Sequence, residues 1–344
     1  MRSIFKAFSF LLMIVSAACG RINESKESVI TIAIDECTLV DCDEFPSIFF
    51  SDDYIISMFD DILLDSKTLI IKSGNNLYGV DVSNGHFTTR FSYIGNGPKE
   101  YIQLWDFCVK DEDVLLYDID KKNILRYSKE GRFVSETPLD SDASANPFQY
   151  IFPLDDSLFV GKRIYGMPDV PELSVYDSDF NYRRQVGEMK LKSGIRLWRE
   201  FYPGSDRDVL FARYFSNDIL SIRKDSVLCK YQVDFGRYSF DDNMYQDEYE
   251  CIEQLNRHEN RYASLISNLY EDEKTFAFQF VKQGDKYLTV FNRNDGCSKT
   301  LKFTSAEMHI EQVIFGKGNI AYVFFSDEES NGGYYVIHLN RIIK

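Results

Sequence analysis

The sequence predicts an all-β fold: a six-bladed β-propeller closed by an N-terminal strand, with one short helical insert. Three observations predict it. A strand–turn–strand pattern recurs along the chain. Most copies follow one another at about 47 residues, the interval of propeller blades. The last copy, Gly333–Asn340, stops after one strand, so a strand from elsewhere must complete it.

The clearest copy is Lys122–Glu136 (KNILRYSKEGRFVSE). Ile124, Leu125 and Tyr127 lie on one strand, Glu130-Gly131 at the turn, and Phe133 and Val134 on the return. Further copies stand at Asn76–Ser92, Glu172–Val186, Asp218–Val233 and Lys286–Phe303. Equivalent positions are Leu77, Ile124, Leu173, Ile219, Tyr287 and Tyr334, at steps of 47, 49, 46, 68 and 47 residues. The long step places an insertion between Ile219 and Tyr287. The copies are rich in aromatic and β-branched residues, with Gly, Asn or Asp at the turns, which is hairpin chemistry. One antiparallel blade cannot bury both of its faces, whereas six around an axis can.

Taken in order, residues 1–18 read as a signal peptide. Arg2 and Lys6 supply the positive start, and Ala7–Val15 is an apolar run too short to span a bilayer. Ser16-Ala17-Ala18 gives small residues directly before Cys19, an order that resembles a bacterial lipoprotein signal. Cys19 is then the expected lipid attachment, and residues 19–28 a polar tether. An ordinary secretory signal with a coincidental cysteine is the alternative. Residues 29–344 are assigned to the propeller. Ser28–Asp35 (SVITIAID) alternates as a strand does and is the expected partner for the unfinished last copy.

Composition narrows the function classes. The net charge is −15, and loss of Arg2 and Lys6 with the signal makes it −17. Such a chain is a poor match for a nucleic-acid backbone or for anionic lipid, so membrane contact is expected only through the anchor. Beyond Cys19 there are six cysteines, Cys37, Cys42, Cys108, Cys229, Cys251 and Cys297. A bridge between Cys37 and Cys42 is one option; burial as free thiols is the commoner outcome for Cys108 and Cys229. There is no CxxC pair to suggest zinc.

Tyr93–Tyr101 reads YIGNGPKEY. A glycine-rich loop can cradle phosphate, but Pro98 lacks an N–H, Glu100 is negative, and no Lys-Ser/Thr pair follows. The expected role is a structural inter-blade turn formed by Gly95, Gly97, Pro98, Glu100 and Tyr101. With Asp118-Ile119-Asp120 before Asn123-Ile124, Gly131-Arg132-Phe133 after the turn, and Val233–Gly236 before the insert, this run resembles the signature of the six-bladed, TolB-like propeller lipoproteins common in Bacteroidetes. The resemblance implies a propeller and export, with localisation as an outer-membrane or periplasmic lipoprotein.

The insert is expected over about residues 241–269. Tyr245, Tyr249, Ile252 and Leu255 recur at helical spacing, with Asp241 or Asp242 as N-cap. It is read as a helix packed on the rim, or as a docking helix over one face.

No catalytic residue and no metal site is assigned. The histidines, His86, His258, His309 and His338, form no HxH or HxxxH pair, and GxSxG is absent. Acidic groups at Asp111-Glu112-Asp113, Asp118/Asp120 and Asp241/Asp242 lack EF-hand spacing and read as solvated turns. Ca²⁺ is the one ion such oxygens would suit. Trp105 and Trp198 read as core residues, with sugar stacking as the alternative. The expectation is a monomeric, non-enzymatic binding or scaffold module of the cell envelope, its partner an envelope protein or a neutral glycan. The alternative is a metal-dependent propeller hydrolase or lactonase with its site at the central funnel. Carboxylate, amide or imidazole groups meeting at the axis from three blades would favour the second.

Overall fold

In the structure, a computed structural model, the described residues are 29–34, 36–56, 58–91, 93–139, 148–163, 173–187, 198–240, 245, 247–257, 261–326 and 331–342. The signal segment, the tether, Cys19, Asp241, Asp242 and His258 lie outside them.

Three short strands open the described chain: β1 (Ile30–Ala33), β2 (Cys37–Asp41) and β3 (Ser47–Phe49). Six sheets follow around an axis. Blade one is β4 (Asp61–Asp65), β5 (Thr68–Ser73), β6 (Asn76–Asp81) and β7 (Phe87–Arg90), and blade two is β8 (Leu104–Lys110), β9 (Asp113–Asp118), β10 (Asn123–Ser128) and β11 (Phe133–Pro138). Blade three is β12 (Phe148–Pro153), β13 (Leu158–Arg163), β14 (Leu173–Asp177) and β15 (Tyr182–Gly187). Blade four is β16 (Phe201–Pro203), β17 (Val209–Ala212), β18 (Asp218–Arg223) and β19 (Ser226–Asp234), and blade five is β20 (Ala263–Glu271), β21 (Thr275–Lys282), β22 (Asp285–Asn292) and β23 (Ser298–Thr304). Blade six has β24 (His309–Gly316), β25 (Ile320–Ser326) and β26 (Gly333–His338). The recurring hairpins are the third and fourth strands of the blades. Leu77, Ile124, Leu173, Ile219, Tyr287 and Tyr334 all fall on third strands and are buried.

The core lies between blades. Blade one meets blade two through Leu77, Phe107 and Tyr127, and blade six through Leu69, Phe324 and Tyr334. Tyr231 of blade four stacks on Phe276 of blade five at 3.9 Å, a contact worth about 0.5–1.5 kcal/mol beyond its buried area. Aromatic side chains reach across the widening gap between radially splayed sheets, which explains why this chain carries 28 Phe and 22 Tyr.

The closing strand is not the one expected. Within the expected Ser28–Asp35, the strand Ile30–Ala33 does not pair with the end of the chain. This strand, β1, runs parallel to β19 as a fifth strand of blade four, with Ile30 opposite Tyr231 and Ile32 opposite Val233. β2 likewise runs parallel to β23 on blade five. It is β3 that completes blade six, antiparallel to β26, with Ile48 opposite Tyr334. Gly333 permits this approach, since a Cβ there would lie 2.3 Å from the Ile48 carbonyl oxygen. The N-terminal stretch is therefore a strap over three blades. Asp43 pins it: its carboxylate accepts from Ser305 Oγ at 2.6 Å, the Ala306 N–H at 2.8 Å and Tyr335 Oη at 3.0 Å.

The insert also differs at its end. Ala263–Leu269 belongs to β20, the inner strand of blade five, and the helix α1 spans Glu248–Arg257. Asp247 caps it, Oδ1 accepting the Glu250 N–H at 2.9 Å. Tyr245, Ile252 and Leu255 pack on the blade-three and blade-four core, as a rim helix requires. Tyr249 does not share that stripe and is 65% exposed, whereas Cys251 is fully buried. Cys37 and Cys42 are separate thiols, the first exposed and the second buried.

Candidate functional site at the propeller axis

All six inner strands run the same way. One face, here called the entry face, carries their starts, the inter-blade connections and α1. The exit face carries their ends.

Near the entry face a polar belt crosses the axis. Arg199, just ahead of β16, reaches from blade four to blade one, where Nε and Nη2 donate to Asp61 Oδ1 and Oδ2 at 3.2 and 2.8 Å. Nη2 also donates to the Phe107 carbonyl of blade two at 3.0 Å, and the guanidinium lies over the Phe107 ring. Burial pulls the Arg199 pKa down, but Asp61 and then Asp106 more than reverse it, so the group stays a cation. Asp106 Oδ2 accepts the Ile151 N–H of blade three at 2.8 Å. From blade four the belt continues through Tyr202, whose hydroxyl accepts the Asn268 N–H of blade five at 2.8 Å. Asn268 Nδ2 donates to the Val313 carbonyl of blade six at 3.0 Å, and Gln312 Nε2 to the Phe59 carbonyl beside blade one at 2.9 Å.

Two carboxylates from two blades, Asp61 and Asp106, thus meet around Arg199 at the axis, while the Asn268 amide is bonded further round the belt. Their neighbours occupy both. Asp61 is held by a guanidinium and Asp106 by a backbone N–H. Among the described residues no three His, Cys, Asp or Glu side chains are placed to share a metal ion. The belt is built to tie blades together.

A second polar group lies between blades three and four. Lys162 Nζ and Glu200 Oε2 are 2.6 Å apart with both side chains fully buried. Tyr150 and Tyr214 both donate to the Trp198 carbonyl at 2.6 Å. Trp198 itself packs with Lys286 Nζ over its ring, and Trp105 packs half-buried against the core.

On the exit side the axis opens into a cavity of about 360 Å³, lined by Leu64, Tyr202, Asn268, Tyr270, Phe315 and Lys317 among others. Beside it a charged cluster joins blades four and five. Lys230 Nζ sits 3.0 Å from Asp208 and 2.9 Å from Glu271, both fully buried. Burial lowers the Lys230 pKa, but the hydrogen bond and charge of Glu271, then Asp208, leave it raised.

The turn at Gly95–Tyr101 lies between blades one and two. Glu100 Oε2 accepts the Gly97 N–H at 2.8 Å, and a Cβ on Gly95 would stand 2.1 Å from that oxygen. Lys121 Nζ donates to the Gly97 and Glu100 carbonyls, and Tyr101 Oη to the Asn75 carbonyl. Pro98 lies between the two carbonyls that Lys121 holds. Of the acidic groups, Asp118 is buried and accepts N–H bonds from Ile102, Gln103, Asp120 and Lys121. Glu112 and Asp113 pair with Lys129 and Arg126.

A family profile described as a domain of unknown function, DUF4934, matches residues 51–341. The chain belongs to the DUF4934 family. Among solved structures, this DUF4934 chain is similar to a candidate exported protein of Bacteroides fragilis, with a TM-score of 0.66 and 17% identity over 90% of this chain and 99% of that one. It is also similar to a DUF4221 member from Bacteroides vulgatus, with a TM-score of 0.57 and 10% identity over 84% of this chain and 94% of that one. At these identities the likeness is one of fold. No curated protein matches. No helix among the described residues is long and apolar enough to cross a membrane.

Sequence reasoning missed Asp61, Asp106, Arg199, Asn268 and Gln312. They are scattered over more than 250 residues of chain with no shared spacing. The one signal within reach was a charged residue at the start of an inner-strand pattern, as at Arg199-Glu200.

Proposed function

We propose that the mature protein is an exported module of the cell envelope, anchored by lipid on Cys19 as in the TolB-like propeller lipoproteins it resembles, that binds a partner without turning it over. The observation that supports a binding role is the state of the axis. Metal-assisted hydrolysis needs several convergent ligands and an open position. Here Asp61 and Asp106 are committed to Arg199 and to a backbone N–H. Nucleophilic hydrolysis needs a nucleophile held by a base, whereas the Tyr202 hydroxyl of the belt is bonded to the Arg199 carbonyl and the Asn268 N–H. The face offered to a partner is the outer side of α1, where Tyr249, Glu250 and Glu253 project from a helix whose other side is packed down. A rigid scaffold presenting such a face suits a protein surface or a neutral glycan.

Turnover is the decisive test. The purified protein is offered lactones and esters with and without Ca²⁺ or Zn²⁺, and no turnover is expected. Metal-dependent hydrolysis abolished by Asp106→Asn would overturn the reading. For the anchor, Cys19→Ala is expected to lose lipid labelling and membrane association.

A further inference from the structure

We propose that the cavity at the exit end of the axis binds a small, neutral, largely apolar molecule through one N–H or O–H donor, with the amide oxygen of Asn268 as the acceptor. The site is distinct from the outer side of α1, and it stands whether or not Cys19 carries lipid.

The cavity, about 360 Å³, lies where the inner strands of blades one, four, five and six end. That is within the range of sites that enclose small organic ligands, roughly 300–1,000 Å³. Its walls are mostly apolar: Ile62 and Leu64 from blade one, Leu269 from blade five, and Ile314 and Phe315 from blade six. The polar side chains set deep among them are engaged elsewhere. The Tyr202 hydroxyl donates to the Arg199 carbonyl and accepts the Asn268 N–H. Tyr270 Oη donates to Asp272 at 2.9 Å. Glu271 carries a charge, but one oxygen accepts the Ser205 N–H at 2.8 Å and Lys230 Nζ at 2.9 Å, and the other accepts the Tyr231 hydroxyl.

Asn268 is the exception. β20 slips register between Ser267 and Tyr270, and Asn268 has a φ of 50°, in the left-handed region that asparagine tolerates better than most residues. Such a bulge re-aims a side chain. The amide is then fixed by its nitrogen. Nδ2 donates to the Val313 carbonyl at 3.0 Å, an atom that can only accept, and to Gln312 Oε1 at 3.4 Å. This leaves the oxygen on the other side. Oδ1 accepts from no described residue and is not sealed from solvent, in a residue that is 8% exposed and lines the cavity. It is a fixed acceptor open to the cavity. The charges nearby select a neutral donor. A ligand cation would find no free carboxylate, since Glu271 is paired, and would meet the exposed ammonium of Lys317 at the mouth. A ligand anion set against Oδ1 would be repelled by the negative end of the amide dipole.

Indole and benzofuran test this, because they share a shape and differ at one position: indole presents an N–H donor where benzofuran presents an oxygen. In a ligand-observed NMR titration, wild-type protein is expected to bind indole saturably, one per chain, and benzofuran roughly three- to tenfold more weakly, the worth of one hydrogen bond. Leu64→Trp fills the cavity and is expected to abolish indole binding. Should that variant melt early, Lys317→Cys capped with a bulky maleimide blocks the mouth from an exposed position. Wild type carrying the same reagent on the exposed Cys37 and Cys297 is the control and is expected to bind. No saturable binding of indole by wild type overturns the proposal, as does binding that survives both blocks. Equal affinity for indole and benzofuran overturns the assignment of a donor-bearing ligand.

Discussion

Replacing Arg199 by Met tests whether the belt holds the ring together. The guanidinium donates three hydrogen bonds, two to Asp61 and one to the Phe107 carbonyl, and it is buried with Asp61, the side chains 4% and 5% exposed. Methionine fills much of the volume but takes away the cation and the two hydrogen bonds that Asp61 receives from Arg199 in the buried shaft. Breaking such a pair from one side costs about 3–5 kcal/mol. For a domain of this size that is a fall of roughly 6–15 °C in melting temperature. Removing both charges, as in Arg199→Met with Asp61→Leu, takes away the penalty along with the attraction, so the double variant is expected to be more stable than Arg199→Met alone. Urea unfolding followed by tyrosine and tryptophan fluorescence measures both. The reasoning fails if Arg199→Met costs less than about 1 kcal/mol, or if the double variant is no more stable than the single one.

Three further predictions follow from particular contacts. Truncation of the chain to begin at Cys42 removes β1 and β2 but spares β3, so circular dichroism is expected to show full blade structure with a lower melting point; truncation beyond Phe49 is expected to abolish cooperative melting. Gly95→Ala drives a Cβ into Glu100 and breaks its bond to the Gly97 N–H, a loss of about 1–3 kcal/mol by urea unfolding, while adding Gly95→Ala to Glu100→Ala is expected to cost little more. Burial raises the Asp208 pKa, but Ser221 and Lys230 outweigh it and leave the carboxyl below its ordinary 3.8. A depressed carboxyl stabilises above its unfolded value and loses that contribution as pH falls through its folded value. The stability gap between wild type and Asp208→Asn is therefore expected to be constant above about pH 4 and to shrink below it, read from urea unfolding at each pH.

The architecture was legible because a propeller blade writes itself locally. Each third-to-fourth-strand hairpin lies within about 17 residues, so Leu77, Ile124 and their equivalents kept a countable interval even where the sequences diverged. Closure was legible as a need but not as a partner. Ser28–Asp35 alternates strongly because its Ile row packs on blade four, Ile32 buried and Ile30 and Ile34 against it. β3 has only Ser47, Ile48 and Phe49, too few residues to show a period, and its specificity lies in what opposes it: the bare Gly333 backbone and Tyr334. A strong local pattern thus marked a fifth strand, and the strand that closes the ring left almost no trace.

The same contrast explains the axis. Inner strands run from three residues at β16 to nine at β20 and begin after connections of unequal length, so their polar residues share no register in sequence. Arg199 and Asp61 are 138 positions apart, and nothing in either neighbourhood specifies the other. What places them together is the ring itself. Six blades converge on a narrow shaft, where backbone and side-chain polar groups lose water and must find partners across it. Asp61 at the start of β4 would be an ordinary exposed strand-end acid in an open sheet. Closure by β3 makes it buried, and burial makes Arg199 necessary. The belt is therefore a consequence of closure as much as its support: truncation beyond Phe49 removes the strand that shuts the ring, and loss of Arg199 removes the bond that ties blade four to blade one across it.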